Sequence, residues 1–101
     1  MNLNIYECSR EIRQKVSEAA LYEQLAEECV ELAHAALKLA RIKRGENPTP
    51  VSVEDAMGAV MEEYTDFRVV AYVLEMGWDI DVFEQKLIRW HKRLGEVNED
   101  A

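Results

Sequence analysis

The chain has 101 residues, 49% of them hydrophobic and 32% charged, with a formal net charge of −8. That length and balance give one globular domain spanning residues 1–101 with a modest core, so a second copy of the chain is a natural source of further burial. The charge excludes a polynucleotide partner, which needs a basic stripe to displace counterions. Cys8 and Cys29 match no zinc or CxxC spacing, and no apolar stretch reaches the length of a signal h-region or a membrane span. Free thiols, no membrane partner and a cytoplasmic location are therefore expected.

In chain order, "SREIRQKVSEAAL" predicts a short first helix whose boundary falls near Ser17. Leu21, Leu25, Cys29, Leu32, Ala36 and Leu39 then recur at intervals of three and four, which predicts a long helix from about residue 19 to 44 closed by Gly45. "RGENPTPVS" holds both prolines and divides the chain in two. Beyond it, Ser52 and Asp55 form a capping pair for a second long helix. Its stripe runs through Ala56, Val60, Tyr64, Phe67, Ala71 and Leu74 and ends near Gly77. A last amphipathic helix is expected over about 82–94, with Asp81 as N-cap, Glu84 three residues on and Gly95 just past its end. No strand alternation occurs. The expected fold is all-α: two long antiparallel helices with shorter terminal helices, a bundle completed by dimerisation.

Each long helix carries an acidic pair beside its stripe, Glu28 with Glu31 and Glu63 with Asp66. Residues three apart share a helix face, so each pair can aim two carboxylates at one point, and facing helices can bring four together. Four unneutralised carboxylates in a partly buried place are prohibitively costly, and neither stripe has a basic residue between its acids. A divalent cation is the fitting counter-charge, above all hard, oxygen-loving Mg²⁺, with Mn²⁺ able to substitute. Glu27 and Glu62 point about 100° away from their neighbours, and solvent exposure accounts for them.

"EECVEL" followed across a loop by "EEYTDF" resembles the ExxE…ExxD signature of the MazG-like all-α nucleoside triphosphate pyrophosphohydrolases, and the likeness extends over residues from about 20 to 95. The resemblance implies cleavage of a (d)NTP between the α and β phosphates to the monophosphate and pyrophosphate. It makes Glu28, Glu31, Glu63 and Asp66 the catalytic Mg²⁺ ligands and predicts a homodimer or dimer of dimers. Phosphoryl transfer fits such a site, since it needs charge neutralisation and alignment more than covalent help. The family's basic tail, Lys then Asn then Arg, reads Lys86, Trp90 and Arg93 here; the Asn is missing, and Lys86 and Arg93 remain as candidate substrate contacts.

Two other functions compete. A phosphoribosyl-ATP pyrophosphatase shares the acid pairs, but "EQLAEE" lacks the lysine and glycine associated with that enzyme. A non-catalytic helical dimer could keep the acids as an ion site while binding nucleotide or protein. His34 follows Glu31 at the Glu-x-x-His spacing of di-iron bundles, yet His91 has Ile88 at the matching position, so the second half of that motif is missing.

Overall fold

The computed structural model describes residues 3–46 and 50–100, and these form four helices: α1 (Ile5–Lys15), α2 (Glu18–Arg44), α3 (Val53–Val73) and α4 (Ile80–Asp100). Among the described residues there is no strand, and no helix is long and apolar enough to cross a membrane. The all-α expectation holds. Asn47, Pro48 and Thr49 of the expected connection lie outside the described residues.

Local chemistry sets the long helices. Ser17 and Ser52 each turn a side-chain oxygen to a backbone N–H three residues on, at 3.1 Å to Ala20 and 3.1 Å to Asp55. Gly45 closes α2 at φ 69°, where the Glu46 amide reaches back to the Arg41 carbonyl at 3.2 Å. α2 and α3 pack on one another as the antiparallel hairpin that dominates the fold, and α1 lies against α3.

The remaining boundaries differ from expectation. α3 ends at Val73 rather than near Gly77, because Glu75 itself takes the left-handed conformation at φ 58°. The Met76 amide then bonds the Ala71 carbonyl at 2.9 Å, in the manner of a Schellman stop. Arg13 of α1 holds this unusual corner. Its guanidinium donates to the Val73 carbonyl at 3.2 Å and to Ser9 Oγ at 2.8 Å, and pairs with the Glu75 carboxylate at 2.9 Å. One side chain thus ties α1 to the last turn of α3, where cations meet the helix dipole favourably.

For α4, Asp79 and not Asp81 is the cap: its Oδ1 accepts from the amides of Asp81 and Val82 at 3.0 and 3.1 Å. Gly95 does not stop the helix, which continues to Asp100. α4 makes no extended contact with the other three helices; Phe83 meets Trp78 of the preceding turn edge-on at 4.7 Å between ring centres, and every residue from Ile80 to Glu96 is exposed.

The hairpin seam is the core, and it is thin. Only Leu21, Ala56, Val70, Ala71 and Val73 are buried hydrophobics among the described residues. The better-covered positions of α2 include Leu21, Leu25, Glu28, Leu32, Ala35, Leu39 and Ile42, and those of α3 and its C-cap include Ala56, Val60, Glu63, Phe67, Val70 and Leu74. Both series step by three and four, as facing helices require. Cys29, Ala36 and Tyr64, expected on the stripes, are exposed; Glu28, Ala35 and Glu63 stand on the seam in their place.

Candidate metal centre

Two acids occupy positions that an ordinary helical hairpin fills with leucine. Glu28 follows Leu25 by three residues and precedes Leu32 by four; Glu63 sits likewise between Val60 and Phe67. Both are half-buried. Glu31, one turn on and toward the edge of α2, is exposed. The three residues bring carboxylate oxygens within 4.8 Å of one another, two from α2 and one from α3. The hairpin register is what makes them meet, since Glu28 and Glu63 are 35 residues apart in the chain.

Asp66 is not part of that close triad, and it is exposed. Its charge still reaches the site, as the state of Glu63 shows. The Glu63 carboxyl is raised above the usual carboxylate range, first by burial, then by the Glu31 charge and a hydrogen bond with Glu31, and then by the charges of Asp66 and Glu28. Every contribution points the same way because no cation answers these acids: among the described residues the ion pairs are Arg13 with Glu75 and Arg44 with Glu46.

Gln24 is the residue that sequence reading passed over. One turn before Glu28, it donates from Nε2 to Glu28 Oε1 at 2.8 Å, which fixes one oxygen and leaves the other free. An amide four residues ahead of a seam glutamate, on the same helix face, is the legible sign of such a support. The free oxygen, Glu28 Oε2, and its counterpart Glu63 Oε2 are both buried and have no hydrogen-bond partner. Buried polar atoms are normally satisfied, and two orphans from facing helices in one place call for a shared partner.

A small hard cation fits that requirement. Octahedral Mg²⁺ with oxygen ligands at about 2.1 Å sets those oxygens roughly 3 to 4 Å apart, within a small contraction of the spacing found here. Glu28, Glu31 and Glu63 supply three carboxylates, leaving room in such a shell for waters or phosphate oxygens.

The other sequence candidates fall elsewhere. Lys86 and Arg93 lie on α4, exposed and on a helix that does not pack on the hairpin bearing the acids. His34 is exposed and outside the triad. Cys8 and Cys29 are free thiols, as expected. A groove of 390 Å³ runs between α1 and α3, lined by Ile5, Cys8, Ile12, Val69 and Tyr72 among others and by none of the acids. No protein-family model matches this chain, and no curated protein and no solved structure matches it either.

Proposed function

We propose that the chain is a Mg²⁺-dependent nucleoside triphosphate pyrophosphohydrolase, cleaving a (d)NTP between its α and β phosphates, with Glu28, Glu31, Glu63 and Asp66 as the acidic machinery. The observation that carries this reading is the pair of orphaned oxygens, Glu28 Oε2 and Glu63 Oε2, buried on a helical seam with no cation of the chain's own. The resemblance of the two acid motifs to the MazG-like pattern supplies the substrate class.

Magnesium, when bound, would neutralise the phosphates, align them and lower the pKa of an attacking water. The chain's own residues prepare for this. Glu28 and Glu63 present one ligand oxygen from each long helix, held by the seam packing on either side. Gln24 orients Glu28 by its hydrogen bond to Oε1. Burial and the neighbouring charges of Glu31, Asp66 and Glu28 raise the Glu63 carboxyl, and a bound cation would oppose that shift. Asp66, exposed and outside the close triad, would add its charge from the edge of the site. A homodimer or dimer of dimers belongs to the same reading, supported by the thin core and the many exposed hydrophobics of the single chain.

The test presents NTPs, dNTPs and phosphoribosyl-ATP to the protein with and without Mg²⁺, measuring pyrophosphate and monophosphate, alongside calorimetric titration of Mg²⁺ alone. Release of both products only with Mg²⁺ is expected. Uptake of the ion without turnover on any substrate would leave a binding module, and no uptake would end the reading.

A further inference from the structure

Helix α2 changes sign along its length. Residues 18–31 carry five acids and no Lys or Arg, whereas residues 32–44 carry Lys38, Arg41, Lys43 and Arg44 and no acid. Arg41, Lys43 and Arg44 stand in the last turn, where a cation meets the negative end of the helix dipole. Lys38 lies before that turn, so the dipole does not account for it. Nor does a helical ion pair, because the positions three and four away are His34, Ala35, Arg41 and Ile42. Lys38 is exposed, and the ion pairs among the described residues, Arg13 with Glu75 and Arg44 with Glu46, leave it out.

This unpaired cation shares a flank with the acids. Seven residues make close to two full turns, so Lys38 returns to within about 20° of the direction of Glu31 and stands about 10 Å farther along α2. Long helical side chains lean back toward the N-terminus, and a lysine stem covering about one turn brings the ammonium to about 5 Å from the level of Glu31. Between the two, the same flank offers the small residues Ala35 on α2 and Ala59 on α3, which leave room for a ligand. With Glu63 meeting Glu28 in an antiparallel hairpin, Asp55 is the acid of α3 nearest to Lys38. It belongs to the first turn of α3, where the dipole of its own helix favours a carboxylate.

We infer that Lys38 is the contact for the terminal phosphates of the substrate, the pair that leaves as pyrophosphate, while the carboxylates hold the ion. The inference rests on the hydrolase reading of the acid site and gives the substrate a direction there. A triphosphate carries most charge at its terminal end, and the hairpin around the triad repels it: residues 18–31 and 54–66 together hold ten acids and no Lys or Arg. A phosphate chain running from the ion toward the start of α2 passes Glu27 and Asp66. One running toward its end reaches Lys38, and a lysine ammonium is a point charge well suited to phosphate oxygens. Lys38 makes and breaks no bond; it positions the leaving group.

Magnesium pyrophosphate is the probe, since its binding needs no turnover. Calorimetry on the full chain should show pyrophosphate taken up only with Mg²⁺, and bound about 10-fold or more weakly by Lys38→Met. Lys38→Arg should restore most of the affinity. Arg44→Met, the same loss of charge on a flank turned about 140° from Glu31, should leave it unchanged. Mg²⁺ alone should bind Lys38→Met as it binds wild type, because the carboxylates are intact. In turnover, Lys38→Met should raise the KM for the triphosphate and the inhibition constant of pyrophosphate together, but not that of the monophosphate. If wild type binds magnesium pyrophosphate, Lys38→Met loses it and no (d)NTP is hydrolysed, the hydrolase reading fails and the Lys38 contact stands. If (d)NTPs are hydrolysed and Lys38→Met binds pyrophosphate as tightly as wild type, the contact fails and the hydrolase stands. Equal weakening by Arg44→Met, a change in monophosphate rather than pyrophosphate inhibition, or no Mg²⁺-dependent pyrophosphate uptake by wild type would also overturn the inference.

Discussion

If Glu28 stands on the hairpin seam as an unpartnered acid awaiting a cation, replacing it with leucine should stabilise the metal-free protein. Leu25, Glu28 and Leu32 share one face of α2, and a half-buried leucine at the middle position contributes about 1 kcal/mol. Removing the buried, unsatisfied Oε2 adds about 1 kcal/mol more, while losing the exposed bond from Gln24 costs about 0.5 kcal/mol. The net gain is about 1–2 kcal/mol, a rise in melting temperature on the order of 5–10 °C for a chain this size. Magnesium should reverse the order. At a hundredfold excess over its dissociation constant, a ligand that binds only the folded state stabilises it by about 2.7 kcal/mol, which Glu28→Leu forgoes. Melting curves at one protein concentration, in EDTA and across a Mg²⁺ series, should therefore cross. A Glu28→Leu protein less stable than wild type in EDTA would refute the orphaned-oxygen argument. Equal Mg²⁺ responses in the two proteins would refute the site.

Protonation gives a second handle. A carboxyl raised in the folded state binds its proton more tightly there than in the unfolded chain, so ionising Glu63 costs stability at neutral pH, and the cost is relieved as pH falls through its raised pKa. In EDTA, the melting temperature of wild type minus that of Glu63→Gln should rise as pH drops from 7 toward the ordinary carboxylate range; a flat difference would contradict the crowding. Glu28→Gln or Asp66→Asn should abolish pyrophosphate release while leaving the fold intact, with Mg²⁺ affinity falling more for Glu28→Gln, since Asp66 lies outside the close triad; unchanged turnover in both would refute their assignment. Arg13→Ala should loosen α1 by about 2 kcal/mol, because it strips the Val73 carbonyl, Ser9 and Glu75 at once, and denaturant melts together with amide exchange in α1 would register it. Asp79→Ala should cost α4 about 1 kcal/mol of helix stability, read as lost helicity, and Asp81→Ala much less.

The long helices were legible because their signals are local. Ser17, Gly45 and Ser52 act on backbone groups within a turn of themselves, and each is found where the sequence puts a boundary. The α3 stop was not legible, because the left-handed residue is Glu75 and the glycine stands two positions later; only the long-range clamp from Arg13 accounts for a glutamate there. At α4, Asp79 and Asp81 both have capping chemistry, and the choice between them depends on where the chain leaves its turn. The acids were found by spacing but placed beside the stripe. Reading periodicity from apolarity assigns Cys29 and Tyr64 to the seam and moves each glutamate off it, which is right for an apolar core and wrong where acids take seam positions.

Among the described residues only five hydrophobics are buried, a thin core to set against chain entropy, so a ligand or partner that binds the folded state alone would add visibly to stability. The proposed ion between the acids and the proposed second copy of the chain would each do so, under separate mass-action laws. The melting temperature should rise with protein concentration at fixed Mg²⁺, and this slope should survive in Glu28→Leu. It should also rise with Mg²⁺ at fixed protein, a slope that should vanish in Glu28→Leu. Diffuse screening of the ten hairpin acids would raise stability as well, but NaCl at matched ionic strength would then do as much as MgCl₂. A bound ion requires MgCl₂ to exceed NaCl in wild type and the excess to vanish when Glu28 is gone. If the two salts act alike in wild type, the acids on the seam are only screened, and the proposed hydrolase has no metal site in the hairpin.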